Sequence, residues 1–244
     1  MSKYKWKDIA WRDLLLVPIV IVATFVFGIL AAIISFVFFN VSEAALLSDS
    51  NALVAQVIAT VVAYLIVILS FYLLHYKTMG QRFMKGLQGI RQYIFWIVGA
   101  YLVAQAASTL YGYLQQFLPE RFQYDTTQNE MLIDQLFAIP WFTPINFMMI
   151  VILAPVVEEI FFRHILIGEL GKKLNFKVMA VISALLFAGV HVLQATSPFE
   201  MIDYLILAVP LVFLYIKSGR NLGVSIAFHM LNNFISFVVT IIQS

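Results

Sequence analysis

Cysteine is absent from this 244-residue chain, which removes disulfides, thiolate metal centres and cysteine nucleophiles at one stroke. Charge is scarce too: 11% of the residues are Asp, Glu, Lys or Arg, against about 25% in an ordinary soluble protein. The net charge of +2 gives no reason to invoke nucleic acid. The apolar runs contain no Gly-x-Ser-Gly and no aspartate pair, and nowhere is there a His-Glu-x-x-His helix, the usual way of presenting two histidines to zinc. Internal repeats and low-complexity segments are missing, which argues against a transporter, since many transporters are built from repeats.

What the chain has is apolar length. Hydrophobic residues make up 62% of it, and several uninterrupted stretches approach or exceed the roughly 20 residues needed to cross a bilayer. The reading is an all-α, polytopic transmembrane helical bundle with about seven spans, at 14–39, 53–75, 93–117, 143–168, 178–195, 204–217 and 221–241. The first stretch follows Lys3, Lys5, Lys7 and Arg12 but is far too long for a signal peptide, so it stays as an anchor. The chain is expected to form one membrane domain, with N-terminal helices over 1–142 and a catalytic core over 143–244.

Positive residues concentrate on the cytoplasmic side of a membrane protein, so the connections can be assigned sides. Lys3, Lys5, Lys7 and Arg12, then Lys77, Arg82, Lys85 and Arg91, then Lys172, Lys173 and Lys177, then Lys217 and Arg220 fall on one side. Glu43 and Asp49, then Glu120, Asp125, Glu130 and Asp134, then Glu200 and Asp203, fall on the other, with Arg121 the only base. This predicts a cytoplasmic N-terminus and an extracytoplasmic C-terminus. Within 82–94, Phe83, Met84, Leu87, Ile90 and Ile94 recur at helical spacing, as in a helix lying on the membrane surface; a basic loop is the plainer alternative. The acidic connection from Leu118 to Pro140 carries Leu132-Ile133 and Leu136-Phe137 and is expected to dip back toward the interface.

The fourth span holds Ala154-Pro155-Val156-Val157-Glu158-Glu159-Ile160-Phe161-Phe162-Arg163. Ionisable residues in hydrocarbon are costly and mark function by default. Glu159 and Arg163 are four apart, share a helix face and stand in the favourable order, while Glu158 is turned aside by about 100°. Pro155 removes a donor and crowds the carbonyl of Val151, which favours a kink just before the pair. The plain alternative is a buried ion cluster that only ties helices together. Further polar residues in the later spans are His191, His229, Asn232 and Asn233. At 1.5 Å per residue, Glu158, His191 and His229 lie about 15, 20 and 12 Å above the basic ends of their spans, close enough in depth to meet in one cavity. His229 and Asn233 share a face, Asn232 is turned aside, and Phe187 stands one turn before His191, where its ring can wall the site. His75 and His164 lack such company and read as interfacial and unremarkable.

A carboxylate, two imidazoles and an amide in a dry cavity suit amide hydrolysis, with the carboxylate as general base and the imidazole and amide N–H groups on the oxyanion. The same Glu158, His191 and His229 could instead hold a divalent metal such as zinc. Both readings stay open on the residues.

Glu158-Glu159-x-x-x-Arg163, Phe187-x-x-x-His191 and His229-x-x-x-Asn233, in this order, with Pro155 before the first and Asn221-Leu-Gly before the last, resemble the motifs of the CPBP family. This family comprises the type II CAAX prenyl proteases and the bacterial Abi, or bacteriocin-processing and immunity, proteins. The resemblance covers about residues 143–240. It implies an intramembrane endopeptidase in which Glu158 activates water with help from His191, and His229 and Asn233 form the oxyanion site. Glu159 and Arg163 would complete and orient the first motif. The family is labelled metalloprotease, while a metal-free mechanism is argued for its prenyl-protease branch, so the cofactor is either none or a divalent metal. The partners implied are the lipid bilayer and a peptide or membrane-protein substrate, in a cell membrane that the compact chain and short loops suggest is bacterial. A non-enzymatic immunity or scaffold role is the alternative, and a proton-coupled transporter the third.

Overall fold

The computed structural model describes residues 4–243. Among these the regular structure is helical and no strand occurs. The long helices are α1 (Leu16–Phe39), α2 (Ser50–His75) and α3 (Met79–Gln115), followed by the short α4 (Gln128–Asp134). Then come a continuous helical segment α5 (Pro140–Leu174), α6 (Phe176–His191), α7 (Glu200–Lys217) and α8 (Leu222–Gln243). Each of the seven predicted crossings has its helix. Five are long and apolar enough to span a membrane: 11–39, α2, α3, α5 and α8. The 16 residues of α6 reach only about 24 Å, and α7 opens with Glu200 and Asp203 and closes with Lys217.

α1 ends where the apolar run predicts, and other boundaries moved where side chains compete for backbone groups. α1 stops at Asn40, which takes the left-handed conformation that helix C-termini favour, and Val41 N–H donates back to Ser35 O. Asp49 caps α2 by accepting from the Asn51 and Ala52 N–H groups. The predicted surface helix over 82–94 and the span after it are one helix of 37 residues, about 55 Å long, because nothing between Met79 and Gln115 breaks it. α6 ends at His191 rather than at 195, because the Thr196 and Ser197 N–H groups are gathered by the Glu200 carboxylate, which turns the chain into α7.

The helices sort into two compact units. One comprises Gly80–Met131 and Glu158–Asn232 with the N-terminal residues up to Ala10. Its core is Ile97, Ala184, Phe187, Ala208, Leu211, Leu214, Val224 and Phe228. In it the Asn221-Leu-Gly223 stretch is a helix crossing: the Asn221 amide donates to Lys85 O at 2.8 Å, and a Cβ on Gly223 would lie 2.6 Å from the Gly86 Cα. Backbones this close leave no room for a side chain at Gly223, whereas a Cβ on Gly86 would make an ordinary contact at 3.6 Å; close approach at small residues is how membrane helices come together. The N-terminal segment is tied down by Glu169, whose carboxylate accepts from Ala10 N–H at 2.7 Å and from the Lys172 ammonium at 2.6 Å.

The other unit comprises Trp11–Met79, Leu132–Val157 and the chain from Asn233 on. Leu136 and Ile139 of the acidic connection are buried in its core with Phe142 at the start of α5 and with Leu53, Val57, Val61 and Leu153. That part of the connection therefore packs on protein. His75, expected to be unremarkable, is buried, with its Nε2 3.1 Å from a carboxylate oxygen of the equally buried Asp13. The sequence reading went wrong because proximity to a span end was taken for exposure.

α5 departs from α-geometry on either side of Ala154–Glu159: Met148–Leu153 and Ile160–Leu170 are π-helical. Ala154 N–H donates to Met149 O, five residues back. The next donor in that ladder would be Pro155, which has none. The carbonyl so deprived is that of Ile150, not Val151 as an α-helix would have it, and it accepts from Asn233 Nδ2 at 2.9 Å. Stretches of π-helix recur at functional sites, and this one immediately precedes the glutamate pair.

Two outcomes test this packing. Gly223→Ala, which forces a methyl against the Gly86 backbone, should destabilise by about 1–3 kcal/mol in thermal unfolding in detergent. Gly99→Ala, where a Cβ meets open space, should leave stability unchanged or raise it. Asn233→Leu should cost about 1–3 kcal/mol by stranding the Ile150 carbonyl. Adding Pro155→Ala, which restores a backbone donor, should recover part of that loss in a double-mutant cycle.

Candidate active site

Side chains from three helices of the first unit converge on Glu158. Glu159 and Arg163 are both completely buried, with Arg163 Nε 3.2 Å from Glu159 Oε2. The other Glu159 oxygen lies 3.1 Å from His229 Nδ1. Arg163 also places its guanidinium carbon 4.7 Å from the Phe187 ring centre. None of its N–H groups makes a hydrogen bond of good geometry among the described residues, so charge and the aromatic face hold it. Losing either partner would strand a buried charge, typically a cost of about 3–5 kcal/mol. Ser183 Oγ donates to Phe162 O at 2.6 Å, which ties the π-helical stretch of α5 to α6.

Glu158, turned away from Glu159 as helix geometry requires, is partly exposed and has a different set of neighbours. Its Oε2 is 3.8 Å from His191 Nε2 and 3.8 Å from His229 Nε2. The partners fix the imidazole tautomers, because a carbonyl or a carboxylate can only accept. His191 Nδ1–H donates to Phe187 O at 2.7 Å, and His229 Nδ1–H donates to Glu159. In the neutral rings, then, both Nε2 atoms are bare acceptors facing a carboxylate oxygen that is itself buried without a hydrogen-bond partner. Each Nε2 is too far from the carboxylate oxygen to bond it directly, and a donor between them, a water molecule or a proton, would satisfy these acceptors. One carboxylate and two imidazoles, with second nitrogens oriented by hydrogen bonds, are also the ligand types of a divalent cation, but their ligand atoms are not gathered as closely as a ready-made metal site requires.

Phe187, fully buried, is the hub. Its ring stands 4.7 Å from His191, 5.7 Å from His229 and 5.4 Å from Phe162. His191 is the last residue of α6. Its other neighbour is Tyr204 of α7, stacked at 4.8 Å with planes 21° apart. Sequence reasoning passed over Tyr204, for which an aromatic in an apolar helix gives no signal. It also passed over Thr127, although Thr127-x-x-Glu130 is a legible capping box.

The structure thus brings together Glu158, Glu159, Arg163, Phe187, His191 and His229. Asn233 follows His229 by one turn of α8, with its amide on Ile150 O. Asn232 lies off the face that His229 and Asn233 share, and His164 is buried in α5.

Residues 140–235 match the family model described as type II CAAX prenyl endopeptidase Rce1-like. The chain is 25% identical over 190 residues to a Bacillus subtilis (strain 168) protein named "Putative membrane peptidase YdiL", covering 77% of this chain and 74% of that one. No solved structure matches the chain. The matched stretch runs from the start of α5 through His229 and Asn233, so it contains all three motifs in their order, and both similarities agree with the resemblance that those motifs carry.

Proposed function

We propose that the chain is an intramembrane endopeptidase in which Glu158 is the general base. The observation that carries this reading is the convergence of Glu158 Oε2 with the two bare Nε2 atoms at 3.8 Å each. A water held there donates one hydrogen to the carboxylate and the other to an imidazole. Glu158 takes a proton as the water oxygen adds to the substrate carbonyl carbon. The C–N bond then breaks, and the proton passes to the leaving amine. General-base assistance of this kind is worth about 100- to 10,000-fold.

His191 keeps the water and the carboxylate aligned. His229, with Asn233 one helical turn away, supplies the oxyanion contacts, each typically worth a few kcal/mol. Donation from His229 Nε2 to the oxyanion requires a proton there, and the Glu159 carboxylate on Nδ1, itself paired with Arg163, is the counterion of the ring so charged. Were a divalent cation the activator, Glu158, His191 and His229 would hold it, and it would supply a more acidic water. The substrate is a peptide or a membrane protein of the same bilayer. The alternation of basic and acidic connections supports a cytoplasmic N-terminus and an extracytoplasmic C-terminus, in a bacterial cell membrane.

Glu158→Ala should abolish cleavage at unchanged membrane level. Comparing peptide termini by mass spectrometry in cells expressing wild type or the variant should reveal termini made only by wild type. Identical termini in both, with any phenotype kept, would move the assignment to a non-enzymatic immunity or scaffold role. Exhaustive chelation followed by zinc addition separates the two activators: a metal-free carboxylate mechanism keeps its rate throughout, whereas a cation-dependent one loses activity and regains it with zinc.

A further inference from the structure

Resting on the endopeptidase reading, we propose that Tyr204 is a positioning residue for His191, and that the acidic connection after α3 holds it in place through Thr127. His191 has two degrees of freedom to lose if its Nε2 is to stay on Glu158. Rotation within the ring plane is stopped by the Nδ1–H bond to Phe187 O. Tilt is stopped by the rings beside it, Phe187 at 4.7 Å and Tyr204 at 4.8 Å. Phe187 is locked in the core, but Tyr204 needs a hold of its own, because its stacked geometry depends on where its hydroxyl end is fixed.

That hold is Thr127 Oγ1, 2.9 Å from the Tyr204 hydroxyl. Thr127 is buried and already occupied as a helix cap. Its Oγ1 accepts from Glu130 N–H at 3.2 Å while Thr127 N–H donates to Glu130 Oε2 at 3.3 Å, the reciprocal capping box of α4. The Thr127 hydroxyl hydrogen also goes to Glu130 Oε2, at 3.1 Å, which leaves the Tyr204 hydroxyl as the donor to Thr127. The connection is fastened to the start of α7 at two further points. Gln128 N–H donates to Glu200 at 2.9 Å, and Tyr124 donates to Asp203 at 2.5 Å while contacting Tyr111. Burial pushes the Tyr124 phenol well above its ordinary range, so it remains the donor. Residues 124–130 therefore act on His191 by way of a single ring.

The test uses the full-length protein in detergent or liposomes with Tyr204→Phe, Tyr204→Ala and Thr127→Val. One readout is the rate at which diethyl pyrocarbonate modifies His191, resolved from the other histidines by peptide mapping. The other is kcat and KM on a substrate found from the termini comparison. Loss of the ring should raise the His191 modification rate several-fold and lower kcat by about 10- to 100-fold, in line with small misplacements of catalytic groups, with little change in KM. Tyr204→Phe, which keeps the stack, should stay within about threefold of wild type in both, and Thr127→Val should fall between. Equal modification rates in wild type and Tyr204→Ala, or equal kcat despite faster modification, would overturn the proposal. A wild type that cleaves nothing would remove the endopeptidase reading, while the modification rates would still decide whether Tyr204 holds His191.

Discussion

The fully buried ion pair between Glu159 and Arg163, extended by His229 on Glu159, is the interaction on which the rest of the site depends. Two opposite charges out of water seldom gain more than apolar packing would give, so such a cluster is poor value as glue. What it does here is divide labour between adjacent glutamates. Glu159 is spent on Arg163 and on orienting an imidazole, and Glu158, one residue earlier and about 100° away, has its Oε2 facing two acceptors with no hydrogen-bond partner among the described residues. Two carboxylates adjacent in sequence thus stand in opposite surroundings.

Much of this was legible from residue spacing. The separation of Glu159 from Arg163, the different bearing of Glu158, the aromatic wall at Phe187 and the matching depths of three helices follow from 3.6 residues per turn and the rarity of charge in apolar runs. Spacing could not give what depends on partners far away in the chain. Asn221-Leu-Gly223 was visible as a motif but not as a helix crossing, because the glycine it meets, Gly86, is 137 positions away. His75 looked like an interfacial residue because its buried partner Asp13 belongs to a segment that sequence alone reads as a charged flank.

The acidic connection shows the same limit from the other side. Its capping box can be written from four letters, Thr127-Gln-Asn-Glu130. Its apolar pairs read as a dip toward the membrane interface, whereas Leu136 in fact packs on protein. That its cap residue also holds a tyrosine against His191 is a matter of tertiary placement. A local motif thus fixes the geometry of its own turn and, through an atom with a spare acceptor site, that of a ring three helices on in the chain.

The π-helical stretch Met148–Leu153 carries a further implication, for alignment. A ladder of five-residue bonds accommodates about one more residue than an α-helix of equal rise, and the glutamate pair comes after it. Deleting one residue there would return the ladder to four-residue bonds and turn the helix before the deletion by about 100° against the helix after it. Relatives differing by a single gap before the glutamates would then keep every motif letter and differ in the bearing of the helical stretch that leads into them.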